Sequence, residues 1–179
     1  VWASTTTVTP SNTNTAYRLR FIPTDLVNYY TDSTMINLII NKAVPTVNWG
    51  TFSTITYGES LSNVTITDET AVNPITGLAI TGGTFAWINP TIQPNVNNSG
   101  FVRTYTPSDA ANYESVQSPL LPVVVNKANP TITQTGSPYV ITYGQVLPTI
   151  TATAINSINS ASVSGNYEWI YGSEHLPQA

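Results

Sequence analysis

The chain has 179 residues, of which 41% are hydrophobic and only 8% charged, and its net charge is −4. This composition excludes an intrinsically disordered chain, and the scattered basic residues, five in all, argue against binding to nucleic acid or to an anionic membrane surface. Cysteine is absent, which excludes disulfide bonds and thiolate metal sites, and the longest apolar run, residues 120–125, is too short to span a bilayer.

The first pattern along the chain predicts a half-buried strand. Tyr17, Leu19 and Phe21 alternate with Arg18 and Arg20. Because successive side chains of a strand point to opposite faces, the aromatic and aliphatic residues share one face and the arginines the other. We expect the apolar face to be buried and the arginine face to be solvated.

A motif of the form Pro-[Thr/Ser]-Asp-x-x-Asn-Tyr follows this strand and occurs again later, at residues 23–29 and 107–113. The aspartate is expected to accept backbone N–H bonds in a turn, and the asparagine to tolerate a left-handed conformation there. The tyrosine is expected to bury its ring and return its hydroxyl to a backbone group, as in a tyrosine corner. A ligand-binding role is the alternative. The residues are Asp25, Asn28 and Tyr29 in the first copy, and Asp109, Asn112 and Tyr113 in the second.

Seven segments between residues 44 and 126 predict strands, because they are rich in β-branched and aromatic residues and bounded by Gly, Pro, Asn or Ser. Seven short strands in about 85 residues are typical of an antiparallel β-sandwich, and no segment shows helical periodicity. The predicted strands are 44–49, 53–57, 63–67, 78–80, 84–88, 100–105 and 116–126.

Arg103 interrupts the apolar face of the sixth predicted strand, at the place that Leu19 occupies in the first copy. A buried guanidinium without a partner would be costly. We therefore expect an edge position, a bulge, or a side chain that extends along its stem to solvent.

An Ile-Thr-Tyr-Gly motif occurs twice, at residues 55–58 and 141–144. It fits a strand that ends in a turn, in which Gly58 and Gly144, each preceded by a tyrosine (Tyr57, Tyr143), adopt a positive φ at little cost.

Tryptophans form a further pattern. An aromatic-x-Trp pair ends in Trp87 and again in Trp169, and its recurrence predicts core positions in alternating strands. Trp49 does not recur and is the better candidate for a surface contact, such as stacking on a sugar ring.

These motifs show that the chain repeats itself. The proline–aspartate motif recurs after 84 residues and the Ile-Thr-Tyr-Gly motif after 86, while an Asn-Lys-Ala-x-Pro-Thr motif, at 41–46 and 126–131, recurs after 85. The chain is therefore predicted to be all-β, with tandem immunoglobulin (Ig)-like antiparallel β-sandwich repeats of about 85 residues. Residues 1–43 form the C-terminal half of one repeat, 44–128 a complete repeat, and 129–179 the N-terminal half of a third.

Two readings of the half repeats stay open. Either the chain is cut from a longer one without regard to repeat limits, or half repeats of neighbouring molecules complete each other. Between repeats, Pro45 and Pro130 favour a short extended join that suits a rod. An isopeptide bond from Lys42 or Lys127 is an alternative use of the same motif.

The ordered set of motifs resembles the bacterial Ig-like and "mostly beta, glycine rich" repeats of large surface adhesins. The order is Ile-Thr-Tyr-Gly, then aromatic-x-Trp, then Pro-Ser-Asp-x-x-Asn-Tyr, then Asn-Lys-Ala-x-Pro. The resemblance covers essentially the whole chain. It implies a tandem stalk in a secreted or surface-anchored bacterial protein and transfers no catalytic or ligand-binding residue. The low charge and the many threonines and asparagines depart from it.

Catalytic residues are sparse. His175, the one histidine, lies near the chain end, and the acids are spread out apart from Asp68–Glu69, for which loose calcium binding is the alternative to a solvated turn. We expect no enzyme, cofactor or metal site. The expected function is an extracellular or cell-surface spacer or fibre segment that projects a distal binding region. Its partners would be neighbouring repeats or identical subunits, with glycan or host-surface contacts made by regions outside this chain. A self-assembling fibre subunit and a carbohydrate-binding module are the alternatives.

Overall fold

The computed structural model describes residues 15–136 and 138–170. Within these residues it contains thirteen short strands, a single 3-10 turn at Leu61–Asn63, and no α-helix, which confirms the all-β prediction. The strands are β1 (Thr15–Phe21), β2 (Asp32–Leu38), β3 (Thr46–Asn48), β4 (Thr51–Phe52), β5 (Ile55–Thr56), β6 (Ile66–Thr67), β7 (Thr70–Val72), β8 (Thr84–Trp87), β9 (Arg103–Thr106), β10 (Val116–Gln117), β11 (Val125–Asn126), β12 (Pro130–Gln134) and β13 (Ala152–Asn156).

The chain forms two compact units, each assembled from three stretches of sequence. The first unit comprises the described parts of Val1–Phe52, Ile66–Ile88 and Gly100–Leu121, and the second comprises those of Ser53–Thr65, Asn89–Ser99 and Pro122–Ala179. The limits of the repeats stay a prediction.

The first unit contains four small sheets. β1 and β2 form an antiparallel hairpin, β9 lies between β10 and β8 in an antiparallel sheet, and β3–β7 and β4–β6 are antiparallel pairs. Ala71, Trp87 and Tyr105 are buried in this unit. The buried aromatic rings come from the adjacent strands β8 and β9, whose alternation brings them to one face.

The second unit contains two small sheets. β5 and β11 pair in parallel, and β12 and β13 pair in antiparallel fashion. Most of its buried apolar side chains come from the β5 and β11 segments and the 3-10 turn: Ile55, Leu61, Val64, Val123 and Val125. Pro94 is buried with them.

The observed strands depart from the predicted ones at several places. The predicted strand 116–126 is two short strands, β10 and β11, which lie in different sheets, and residues 51–52 form β4, which the sequence did not predict. Residues 78–80 form no strand, and only Ala79 makes an isolated bridge, to Val72. Residues 70–72 form β7, which the sequence did not predict. A turn at residues 73–77 reverses the chain directly after this strand.

The alternating strand is present as β1, but its apolar face is not buried. Leu19 is 45% exposed and Phe21 is 66% exposed. The prediction of a buried face is therefore wrong for this structure: among the described residues β1 pairs with β2 alone, and this two-stranded sheet leaves both side chains accessible.

Candidate functional site

The two proline–aspartate turns share two side-chain hydrogen bonds, and the first turn has a third. In the first, the Asp25 carboxylate accepts the Val27 and Asn28 backbone N–H groups at 3.0 and 3.1 Å and the Asn28 side-chain amide at 2.7 Å. In the second, the Asp109 carboxylate accepts the Asn112 backbone N–H at 3.3 Å and its side-chain amide at 2.6 Å. The aspartates thus stabilise the turns as the sequence predicts.

Bonding to the aspartate also shifts its pKa. The side-chain amide of Asn28, then its backbone N–H, lower the pKa of Asp25 below its ordinary value; desolvation opposes them, and the Val27 N–H adds a smaller lowering effect. Neither Asn28 nor Asn112 has a positive φ. The expected left-handed conformation is therefore wrong, since each asparagine caps the aspartate from an ordinary backbone position.

The tyrosines of these turns do not form tyrosine corners. Tyr29 is 64% exposed. Tyr113 is half-buried, and its hydroxyl accepts the side-chain amide of Asn73 at 3.0 Å instead of reaching a backbone group. The Tyr113 segment is bonded to the segment at Ala43: the Ala43 N–H donates to the Asn112 carbonyl at 2.8 Å, and the Glu114 N–H donates to the Ala43 carbonyl at 3.0 Å.

The two Ile-Thr-Tyr-Gly turns are also equivalent, and the residue after each glycine completes them. The Thr56 N–H donates to the Glu59 carboxylate at 2.6 Å, and the Thr142 N–H donates to the side-chain oxygen of Gln145 at 2.7 Å. Both glycines have a positive φ, +110° for Gly58 and +87° for Gly144. Glu59 and Gln145 were not recognised as equivalent from the sequence, because the two residue types differ. What they have in common is a side-chain oxygen that accepts a hydrogen bond.

A third recurrent turn, which we call the asparagine turn, was not recognised from sequence. It occupies residues 73–77 and 156–160, at a spacing of 83. The side-chain oxygens of Asn73 and Asn156 accept the N–H two residues ahead at 2.9 and 2.8 Å. The fifth residue is left-handed in both turns, and the backbone bonds correspond: Asn73 N to Leu78 O and Asn156 N to Ala161 O (both 2.8 Å), Gly77 N to Asn73 O and Ser160 N to Asn156 O (both 2.9 Å).

The second asparagine turn is docked on the first Ile-Thr-Tyr-Gly turn. Asn156 is buried, and its side-chain amide donates to the Tyr57 carbonyl at 3.0 Å. The contact is close, because a Cβ added to Gly58 would lie 2.9 Å from the Asn156 amide nitrogen and 3.2 Å from the Ile158 Cβ. Glycine at position 58 thus permits two sequence-distant turns to pack together.

Arg103 is the most deeply buried charged residue described, at 2% exposure. Its guanidinium donates to the Glu69 carboxylate at 2.8 Å and to the Trp49 carbonyl at 3.2 Å. The guanidinium carbon lies between 5.3 and 5.9 Å from the ring centroids of three aromatic residues, within the range of cation–π attraction. These are Phe52, Phe85 and Trp87.

The expected edge position, bulge or solvent-directed side chain is therefore wrong for Arg103. β9 is the central strand of its sheet, and the Arg103 backbone is paired with Ser118 on one side and faces Trp87 on the other. The Glu69 carboxylate and the aromatic rings compensate the buried charge of Arg103. Their distances from Arg103 along the sequence did not identify them as its partners.

Tyr105, two residues further along β9, is buried, and its hydroxyl donates to the Gly82 carbonyl at 2.9 Å. Burial, and to a lesser degree Tyr113, raises the pKa of Tyr105 above its ordinary value.

The tryptophans occupy three different environments. Trp87 is buried, in agreement with a core position, whereas Trp169 is 42% exposed and its indole N–H donates to the Pro148 carbonyl at 2.9 Å. Trp49 is half-buried, with its ring edge-on to Phe85 at 6.2 Å.

The alternative chemistries find little support at their residues. Glu69 is bound to Arg103, so Asp68–Glu69 is not an open carboxylate pair for calcium. Neither Lys42 nor Lys127 is buried, as an isopeptide bond would need. Among residues 15–136 and 138–170 no group of three or more metal-binding side chains occurs. His175 lies outside these residues. No helix in the described part of the chain is long and apolar enough to cross a membrane.

No protein-family model matches the chain, and no match was found among curated proteins or solved structures.

Proposed function

We propose that this chain is a segment of a tandem array of Ig-like β-sandwich repeats that acts as a spacer, or stalk, of a secreted or cell-surface protein. In this proposal it has no catalytic activity and projects a distal binding region, as the resemblance to adhesin repeats implies. Its partners are the neighbouring repeats.

One observation carries the proposal: three different turns recur, each with corresponding hydrogen bonds, at spacings of 83 to 86 residues. They are the proline–aspartate turns, the Ile-Thr-Tyr-Gly turns and the asparagine turns. Strand register recurs as well, since Phe21 opposes Asp32 in β1–β2 and Tyr105 opposes Val116 in β9–β10, both at a spacing of 84. The recurrence of a short motif is weak evidence by itself. The recurrence of the same turn geometry at the same spacing supports an array of structural repeats.

The pairing of β5 with β11 supports a load-bearing role. These strands lie near the two ends of the predicted repeat 44–128 and run parallel, joined by bonds from Ile55 N to Val124 O (3.1 Å) and from Tyr57 N to Asn126 O (2.8 Å). Tension transmitted to β5 and β11 from the two ends of the repeat pulls these parallel strands along their length in opposite directions. The bonds between them must then break together, which resists force better than breaking them one by one.

The acidic residues support a structural role over a catalytic one. Asp25 and Asp109 hold turns, Asp32 accepts the adjacent Ser33 N–H at 2.7 Å, Glu59 caps Thr56, and Glu69 binds Arg103. These carboxylates are dispersed over the chain and engaged in local bonds, whereas acid–base catalysis needs a pair that converges on one substrate.

Stretching single molecules tests the proposal. The 179-residue chain is held between handles at its two ends and pulled at constant speed. We expect one discrete rupture that releases about 30 nm of contour length, since about 85 residues extend by roughly 3.6 Å each. A smooth extension without a rupture, or a release matching a much shorter unit, would contradict the repeat and its spacer role. A carbohydrate-binding module would instead show a change in tryptophan fluorescence on titration with glycans.

A further inference from the structure

Both predicted limits of the complete repeat lie inside a compact unit. The limit at residues 43–44 falls within the first stretch of the first unit, and the limit at 128–129 falls within the last stretch of the second. Domains that move freely are joined by an exposed linker that few contacts cross. Since the second unit is compact across the limit at 128–129, the contacts between residues on its two sides define the join.

The second asparagine turn donates two side-chain hydrogen bonds across this limit. The Asn156 amide donates to the Tyr57 carbonyl at 3.0 Å, and the Asn159 amide donates to the side-chain oxygen of Gln93 at 3.1 Å. Both acceptors belong to the predicted repeat 44–128, and both donors belong to the predicted repeat that follows it. A single turn of one repeat is thus bonded to two separate loops of the repeat before it.

The same turn is packed against the preceding repeat as well as bonded to it. The Ile158 Cβ lies 3.2 Å from the position that a Cβ on Gly58 would occupy, so the turn rests directly on the glycine backbone. Asn156 is 3% exposed and is the only buried residue of β12 and β13. Since an isolated pair of strands is only marginally stable in water, the docked end is where β12 and β13 gain tertiary support.

The oxygen and the nitrogen of the Asn156 amide have separate roles. The oxygen accepts the Ile158 N–H at 2.8 Å and holds the turn, while the nitrogen reaches the Tyr57 carbonyl. The same local bond is present in the first asparagine turn, where the Asn73 oxygen accepts the Ile75 N–H at 2.9 Å. The asparagine therefore shapes the turn and also carries a donor for a partner outside it.

We infer that the asparagine turn is the surface by which one repeat docks on the repeat before it in the same chain, and that the Ile-Thr-Tyr-Gly turn is its partner. The inference rests on the repeat architecture proposed above. Three residues, 127–129, separate β11, which is paired with β5, from β12. This connection is short and the turn beyond it is docked, so bending at the join has to break the docking contacts.

Hydrogen exchange on the full 179-residue chain tests the docking, because local opening exposes the amides of a strand pair to exchange. Asn156→Asp keeps the oxygen that holds the turn, removes the donor to Tyr57, and leaves a carboxylate buried against a carbonyl oxygen. We expect the amides of β12 and β13 to exchange at least about tenfold faster in this variant, while those of β8 and β9 keep their wild-type rates. Unchanged rates in β12 and β13, or equal losses in all four strands, would overturn the inference.

Asn73→Asp is the matched control. It makes the same change in the first asparagine turn, where the amide donates to the Tyr113 hydroxyl at 3.0 Å within one predicted repeat. Exchange in β12 and β13 should then stay within about twofold of the wild type. Gln93→Ala, a milder change that removes only the bond from Asn159, should speed exchange in β12 and β13 by a smaller factor. An effect of Asn73→Asp equal to that of Asn156→Asp would overturn the assignment of the join.

Distances between spin labels give an independent readout, because the chain has no cysteine of its own. Thr91→Cys and Thr133→Cys place nitroxide labels at exposed positions on the two sides of the limit, both in the second unit. We expect one narrow distance distribution in the labelled chain, and a broad one when Asn156→Asp is added. A broad distribution before that change would show a free hinge and overturn the inference.

Failure of the docked join and failure of the spacer proposal are distinguishable. If β12 and β13 are unprotected in the wild type but stretching still gives the rupture of about 30 nm, the spacer proposal stands and its repeats are hinged. If the rupture is absent, the repeat does not unfold as one unit, and the proposal and the inference that rests on it both fail.

Discussion

Replacing Glu69 with glutamine removes the charge that faces the buried Arg103. The two groups are 2.8 Å apart, and the side chains are 3% (Arg103) and 31% (Glu69) exposed. At that distance the attraction is about 6 kcal/mol with an effective dielectric constant of about 20, much of it offset by the desolvation of the guanidinium. Exposed ion pairs contribute up to about 1 kcal/mol, and breaking a fully buried one costs about 3–5 kcal/mol. Since Glu69 keeps part of its water and glutamine keeps an acceptor oxygen, we expect a loss of about 2 kcal/mol.

The matched change is Arg103→Leu, which installs the residue found 84 positions earlier, Leu19. Combining it with Glu69→Gln removes both charges from the aromatic pocket. A buried pair can often be replaced by apolar groups without loss, so the double variant should be less destabilised than the sum of the singles by at least about 1 kcal/mol.

Denaturant unfolding followed by tryptophan fluorescence measures these changes, because Trp49 and Trp87 both contact Arg103. The loss for Glu69→Gln should vary little between low and high salt, since a largely buried pair is weakly screened. An unchanged unfolding midpoint for Glu69→Gln, or strictly additive losses in the double variant, would refute the argument that Glu69 compensates a buried charge.

Three further changes probe the recurrent turns and the core. Gly58→Ala should destabilise the chain by roughly 1–3 kcal/mol more than Gly144→Ala in denaturant unfolding. Both positions have a positive φ, so both substitutions are strained. Only at Gly58 would the new Cβ also meet a packed turn. An equal cost would mean that the docked turn yields freely. The pKa of Asp25, followed by NMR, should lie below 3.8 and rise in Asn28→Ala, which removes the largest cause of the shift. Because this pKa is depressed in the folded state, the stabilisation is present above the unfolded pKa and is lost as pH falls through the folded one; an unshifted pKa in the wild type would contradict it. Tyr105→Phe should cost about 1 kcal/mol in thermal or denaturant unfolding, because it leaves the carbonyl partner at Gly82 unpaired, and a neutral result would show that water replaces the hydroxyl.

The sequence by itself was sufficient for the all-β class and for the turns whose chemistry is local. Asp25 and Asp109 hold turns through bonds to residues two or three positions away, and Gly58 and Gly144 adopt the positive φ that a glycine tolerates. Such interactions depend on residue type and short spacing, both of which can be read directly. The spacing of the recurring motifs is equally visible, because it requires only a comparison of the sequence with itself.

Tertiary structure decided what happens between distant residues. Arg103 was expected at an edge, at a bulge or with its side chain extended to solvent. It is buried in the central strand instead, because Glu69, 34 residues earlier, supplies its counter-charge. Asn156 packs on Gly58, and its side-chain amide donates to the Tyr57 carbonyl, 99 residues earlier in the chain. Periodicity also could not tell whether an apolar face is covered. Leu19 lies in an alternating pattern that is typical of a half-buried strand, yet its side chain is accessible. Burial requires a second strand or sheet, whose position no local pattern encodes.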